Sequence, residues 1–194
     1  MTINQWLKSD ALSIPLLPIP LIALMILTRF HHFGDVLHLP DASLAVFFFA
    51  GFYRTGAYGK NALFAFLLVM AGLIDYVAIA NGTSDWCVSP AYIFLIPTYA
   101  VMWLAGSYCS ASKSLAIAAG LVTLAASAAF AVSNGSFYLL SGRFGDLSVA
   151  EYAVRVARYY PSYVGSALIY ALAGLIIIRI VKALPAIQAR HHEI

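Results

Sequence analysis

From Asn61 to Ala80 the chain carries one charged side chain, Asp75, in an otherwise apolar run. Comparable runs occupy Leu12–Thr28, Ala42–Tyr58, Pro90–Tyr108, Leu115–Val132 and Pro161–Val181. A helix needs about 20 mainly apolar residues to cross the ~30 Å hydrocarbon core of a bilayer, so each run predicts a membrane-spanning helix. Composition agrees: 62% of the 194 residues are hydrophobic and 10% are charged, and mean hydropathy is +0.87, whereas a soluble domain is about 25% charged. The expectation is an all-α integral membrane protein, one domain over residues 1–194, with six transmembrane helices in a bundle. No Lys/Arg cluster is dense enough to neutralise a run of phosphates, which excludes a nucleic-acid partner. Met1–Asp10 lacks the basic start of a signal peptide, so the N-terminus is expected to be retained.

Six spans place both termini on one side. Lys8, Arg54, Lys60, Lys113, Arg179, Lys182 and Arg190 then share that side, against Arg29, Arg143, Arg155 and Arg158 on the other. Seven against four predicts cytoplasmic termini. The long connections at 29–41, 81–89 and 133–160 fall outside, and long loops on a rigid scaffold usually carry binding. The second run is the weakest. Its strongly apolar part, Ala42–Tyr53, is short and is followed by Arg54, Gly56 and Gly59, so the span is expected to be tilted, broken or partly re-entrant.

Within the external connections, Ser89 and Pro90 read as the cap and first residue of the fourth helix. Cys87 stands two residues before that cap, where the positive helix end favours a thiolate, the form that ligates metals and attacks electrophiles. A small buried hydrophobe is an equally good reading of the same cysteine. Cys109 lies beyond the far end of that span, about 25 Å away at 1.5 Å per residue, which excludes a disulfide between them. His31, His32 and His38 share the first connection but match no zinc spacing, so they are read as hydrogen-bonding a ligand or the loop backbone, or as lying at headgroup level.

Asp75 sits inside the third span, where a carboxylate is costly and marks function unless a neighbouring hydroxyl simply satisfies it. Tyr92, Tyr99 and Trp103 recur at helical spacing on the fourth; Tyr92, at the same end as Cys87 and Asp75, is the candidate binding residue. Ser148 and Glu151 form a capping box before a short amphipathic helix, with Val149, Tyr152, Ala153 and Val156 on one face and Glu151, Arg155 and Arg158 on another. That helix is either an interfacial anchor or a lid whose arginines meet an anionic ligand group. The Ala- and Gly-rich fifth and sixth runs are expected to pack closely. Asn81-Gly82-Thr83 and Asn134-Gly135-Ser136 are sequons, a motif short enough to arise by chance.

Leu39-Pro40-Asp41-Ala42-Ser43-Leu44-Ala45-Val46-Phe47-Phe48, taken with Asp75 and with Cys87-Val88-Ser89-Pro90-Ala91-Tyr92, resembles the BtuM family of bacterial cobalamin transporters. These are small six-helix proteins similar to the substrate-binding S-components of energy-coupling-factor (ECF) vitamin transporters. The resemblance covers most of the chain in layout, and its specific part is the region around Cys87. It implies uptake of cobalamin (vitamin B12) across the inner membrane through an outward pocket, with Cys87 as the cobalt ligand and Asp75 and Tyr92 beside it. Asp75, Tyr92, His31, His32 and Arg155 complete the expected ligand-binding set, and Cys87 with Asp75 and Tyr92 would carry any removal of an upper axial cyanide. S-components that share an energising module commonly carry Ala-x-x-x-Ala on the first helix. Here Ala23 is followed four residues later by Leu27, which points to a solitary member without an ATPase partner. The competing readings are an S-component for another vitamin and a membrane-embedded thiol enzyme using Cys87 as nucleophile.

Overall fold

The computed structural model describes residues 18–30, 39–52, 57–109 and 114–191, with side chains except at 30, 57, 58, 87 and 181–191. All regular structure among them is helical: α1 (Pro18–Phe30), α2 (Ser43–Phe52), α3 (Ala57–Ala80), 3-10 turns at Asp85–Cys87 and Pro90–Phe94, α4 (Leu95–Cys109), α5 (Leu115–Leu140), α6 (Val149–Ala157) and α7 (Tyr160–His191). Four stretches are long and apolar enough to cross a membrane: Gly59–Ala80, Pro90–Cys109, Leu115–Leu140 and Tyr160–Ile180. These correspond to the last four expected spans. Pro18–Arg29 and Ser43–Phe52 are apolar but shorter, and residues 12–17 of the first expected span lie outside the described residues.

The second expected span, Ala42–Tyr58, differs from its neighbours in kind. Its helix has ten residues, about 15 Å of rise, half the hydrocarbon thickness. Every residue from Ser43 to Gly51 is buried, because a helix apolar on all sides has no face to give to water and can be enclosed by other helices. Here α2 packs against α1, α3, α4 and α7. Phe47 stacks on Tyr99 of α4, with centroids 4.2 Å apart, and meets Phe64 of α3 edge-on at 5.5 Å. A run of apolar residues therefore marks the core here rather than a wall facing lipid.

A close helix crossing joins α2 to α4. A Cβ on Gly51 would strike the carbonyl of Trp103, and one on Gly106 would strike the carbonyl of Phe48. Two glycines thus open the same crossing from opposite sides, and Ser107 donates to the Gly51 carbonyl at 3.1 Å. Small residues do line the α5 face that is buried, at Ala118, Ala125, Ala126 and Ala129, and α5 packs against both α4 and α7. Ala167 and Ala171 of α7 are buried as well, whereas Gly120 and Gly165 have open space where a Cβ would stand, so neither glycine marks a close approach.

Two boundaries move. Helix α5 continues past the expected Val132 to Leu140, which places Asn134 and Ser136 in helix instead of loop. The fourth span starts as a 3-10 turn, with the Leu95 N–H bonding to Tyr92 and Ile93 carbonyls. Pro97 gives the reason: in an α-helix its ring would press on the carbonyl four residues back, at Ile93.

Gly51→Ala and Gly106→Ala should each lower thermal stability in detergent, by about 1–3 kcal/mol, because the atom they strike is backbone and cannot rotate away. Gly120→Ala, in open space, should be neutral or slightly stabilising. Equal effects at all three positions would contradict the crossing described.

Candidate functional site

The end of α1, the start of α2, the end of α3, the turns before α4, the end of α5 and all of α6 meet at one end of the bundle. They enclose a cavity of about 660 Å³. Its walls are mostly apolar and aromatic, with Leu44, Trp86, Phe94, Phe137, Phe144, Tyr152 and Tyr163, and its polar groups cluster in two places.

One cluster is built around Arg29, the last-but-one residue of α1, which is 8% exposed. Its Nε donates to Asp75 Oδ1 at 2.6 Å and its Nη2 to Asp75 Oδ2 at 2.5 Å. This fork geometry is the strongest pairing open to a carboxylate. Arg29 Nη1 donates to Tyr99 Oη at 2.6 Å and to Ser43 Oγ at 3.1 Å. Ser43 Oγ in turn donates to Asp41 Oδ1 at 2.6 Å, and Asp41 also accepts from the Ser43 backbone N–H at 2.9 Å. The second oxygen of Asp41 lies 3.5 Å from the guanidinium. Tyr92 completes the cluster by donating to Asp75 Oδ2 at 2.5 Å. Arg29, Asp41, Asp75, Tyr92 and Tyr99 all line the cavity.

The second cluster comes from α5 and α6. Ser133, Asn134 and Ser136 reach the cavity from the last turns of α5, and Arg155 and Arg158 from α6. The capping box expected at the start of α6 is present: Ser148 Oγ accepts from the Glu151 N–H, and Glu151 accepts from the Ser148 N–H. Tyr152 is buried beneath the helix, its hydroxyl donating to the Asn134 carbonyl at 3.1 Å. Behind α6 a second hollow of about 410 Å³ is lined by Phe130, Tyr138, Val149, Ala153 and Tyr160 among others. The short amphipathic helix therefore stands as a partition between two spaces.

Of the expected site residues, Asp75 and Tyr92 are brought into direct contact and Arg155 faces the same cavity. Cys87 ends the turn Asp85–Cys87, beside the cavity-lining Trp86; its side chain lies outside the described residues, as do His31 and His32. Ser89 holds the cap position but makes no side-chain cap bond, and its hydroxyl is buried without a hydrogen-bond partner. With a 3-10 turn interposed, the α-helix proper starts at Leu95, so the helix-end field expected at Cys87 acts from farther away. Cys109 is a buried free thiol. Sequence reasoning missed Arg29, which it had counted only as a loop charge. The sequence signal was only general: an acid inside a span is commonly paired, but its spacing does not say with which residue.

Arg29→Met should destabilise the protein by about 1–3 kcal/mol, since it leaves the half-buried Asp75 carboxylate with the Tyr92 hydroxyl but without its counter-charge, and adding Asp75→Leu should recover much of that loss. Additive losses in thermal unfolding would argue against a coupled pair. The Glu151 carboxyl is held below its usual range by hydrogen bonds from Ser148. A depressed folded-state pKa means that the cap is fully stabilising above the unfolded value of about 4.3 and is lost as pH falls through the folded value. Exchange of the α6 amides should accelerate in that acidic window in the wild type, and Ser148→Ala should remove the dependence.

No protein-family model matches the chain, and no curated protein matches it. The functional reading therefore rests on the chemistry of the cavity.

Proposed function

We propose that this chain binds cobalamin and carries it across a bacterial inner membrane. In this reading all six apolar helices form one membrane-embedded bundle, the termini are cytoplasmic, the cavity faces outward, and no ATPase module is required. The observation that carries it is the cavity at one end of the bundle, where Asp75, Tyr92 and Arg155 meet the turn that holds Cys87.

The chemistry fits the cargo in kind. A cysteine thiolate is a soft, strong donor suited to an axial position of cobalt. Ser133 and Asn134 supply hydrogen-bonding groups for corrin carboxamides, Arg155 and Arg158 supply positive charge for the nucleotide phosphate, and the aromatic walls suit the ring edge. In size the fit is partial. A cavity of about 660 Å³ suits a drug-sized molecule, and a complete corrinoid is larger, so loading requires displacement of a wall. Helix α6, with a hollow on its far side, is the wall with room to move. Where the cargo carries cyanide, the Cys87 thiolate would displace the nucleotide base from the cobalt face opposite the cyanide, the base leaving with its own lone pair, and would weaken the cobalt–carbon bond. Cyanide would leave with the bonding electron pair, and the cobalt would stay trivalent.

Purified protein incubated with cyanocobalamin should retain visible corrinoid absorbance through gel filtration, and Cys87→Ala should shift that spectrum. Absence of retained absorbance would overturn the proposal, and an unchanged Cys87→Ala spectrum would overturn cobalt ligation by the thiol. Binding of a different vitamin with no cobalt spectrum, or turnover of a thiol-directed substrate without cobalamin, would move the assignment to another S-component or to a thiol enzyme.

A further inference from the structure

Among the described residues, a cation–π pair joins the two loops over the cavity. The Arg143 guanidinium, from the connection between α5 and α6, lies 4.0 Å from the centroid of the Trp86 ring. Trp86 belongs to the 3-10 turn between α3 and α4 and lines the cavity while remaining 52% exposed. It therefore sits at the mouth, with one side toward the cavity and the other toward the surroundings. Next to Arg143, Phe144 faces the opposite way. Its ring lines the cavity and packs on Phe137 of α5 at 5.5 Å and on Tyr152 of α6 at 4.8 Å. The α5–α6 connection is thus anchored on its own side by Phe144, and Arg143 reaches across to the other loop.

Each loop leaves its helix through a glycine with positive φ, Gly82 at +97° after α3 and Gly142 at +69° after α5. Such glycines let a chain reverse at a helix end. Neither loop is tied to the other by backbone pairing; the inter-residue backbone bonds at 81–88 and at 141–147 are local.

We propose that the Trp86–Arg143 contact is a clasp that narrows the mouth of the cavity and governs solute access to it. The clasp is weak by design of its chemistry: a cation–π contact at an exposed site shifts an open–closed equilibrium by about two- to fivefold. That magnitude permits spontaneous opening. Because Cys87 directly follows Trp86 in the same turn, release of the ring also frees the segment that holds the thiol. The inference does not depend on the identity of the cargo, since it concerns only whether the mouth is open or closed.

The test uses the full-length protein in detergent without cargo. Cys87→Ala removes the thiol in the turn, and Ser133→Cys places one on the cavity wall, where Ser133 is half-buried. Its labelling rate by a bulky charged maleimide then reports opening of the mouth. Arg143→Ala and Trp86→Ala should each raise that rate about two- to fivefold, the double variant should label no faster than either single one, and Arg143→Lys should stay near the parent because an ammonium also binds a ring face. Cys109, buried at the other end of α4, reports global unfolding: it must stay unlabelled in any variant that is counted. Unchanged rates in the Arg143 variants, or multiplying effects in the double variant, overturn the clasp. Should Trp86→Ala unfold, the contrast between Arg143→Ala and Arg143→Lys alone decides.

Discussion

The ion pair between Arg29 and Asp75 sets the terms for the cavity end of the molecule. Neither charge can be left alone among apolar helices, where desolvation of a single ion costs several kcal/mol. The fork of two short hydrogen bonds fixes the end of α1 to the last turns of α3. The remaining guanidinium face then recruits Ser43 at the start of α2 and Tyr99 on α4. One side chain thereby holds four helices in register, and Tyr92 is drawn in by donating to Asp75 Oδ2, the oxygen that also accepts from Arg29 Nη2. Because the groups are saturated by one another, the floor of the cavity is rigid, polar and still lined by side chains a ligand can meet.

Packing elsewhere supports that floor. The short helix α2 is buried from Ser43 to Gly51, and its close crossing with α4 is permitted by Gly51 on one helix and Gly106 on the other. Gly174 of α7 stands where a Cβ would meet the ring of Phe49. With α2 seated deeply, its first residues point Asp41 and Ser43 at Arg29. The rest of the cavity comes from overhang. Helix α5 extends beyond the expected span, and α6 folds back over the opening with Tyr152 as its anchor. The cavity thus has a hydrogen-bonded floor and a roof held by the Tyr152 hydroxyl and by the Phe144 ring packing.

Much of this was legible in the residues. Apolar run length gave the four long helices, the Ser148/Glu151 spacing gave the capping box, and the rarity of charge in a span singled out Asp75. Three features were not legible, each for a physical reason. Apolar composition does not separate a lipid-facing helix from one in the core, so the short second run read as a tilted, broken or re-entrant span and its enclosure by other helices was not foreseen. Hydropathy stops counting where polar residues begin, so the helical run through Ser133, Asn134 and Ser136 looked like loop. The partner of Asp75 was hidden because pairing across 46 residues of sequence is a property of how helices pack, and Arg29 standing at a helix end resembles any interfacial charge.

The sequence by itself determined that this chain is helical, that its apolar stretches suit a bilayer, and that its scarce polar groups gather toward one end. Those conclusions follow from local quantities: run length, spacing and charge frequency. Tertiary structure alone decided which of the polar groups meet. Arg29, Asp75 and the Tyr92–Tyr99 stretch lie on three separate spans, and only the depth and rotation of each helix, set by the glycine crossing and the buried ring stacks, bring them within hydrogen-bonding distance.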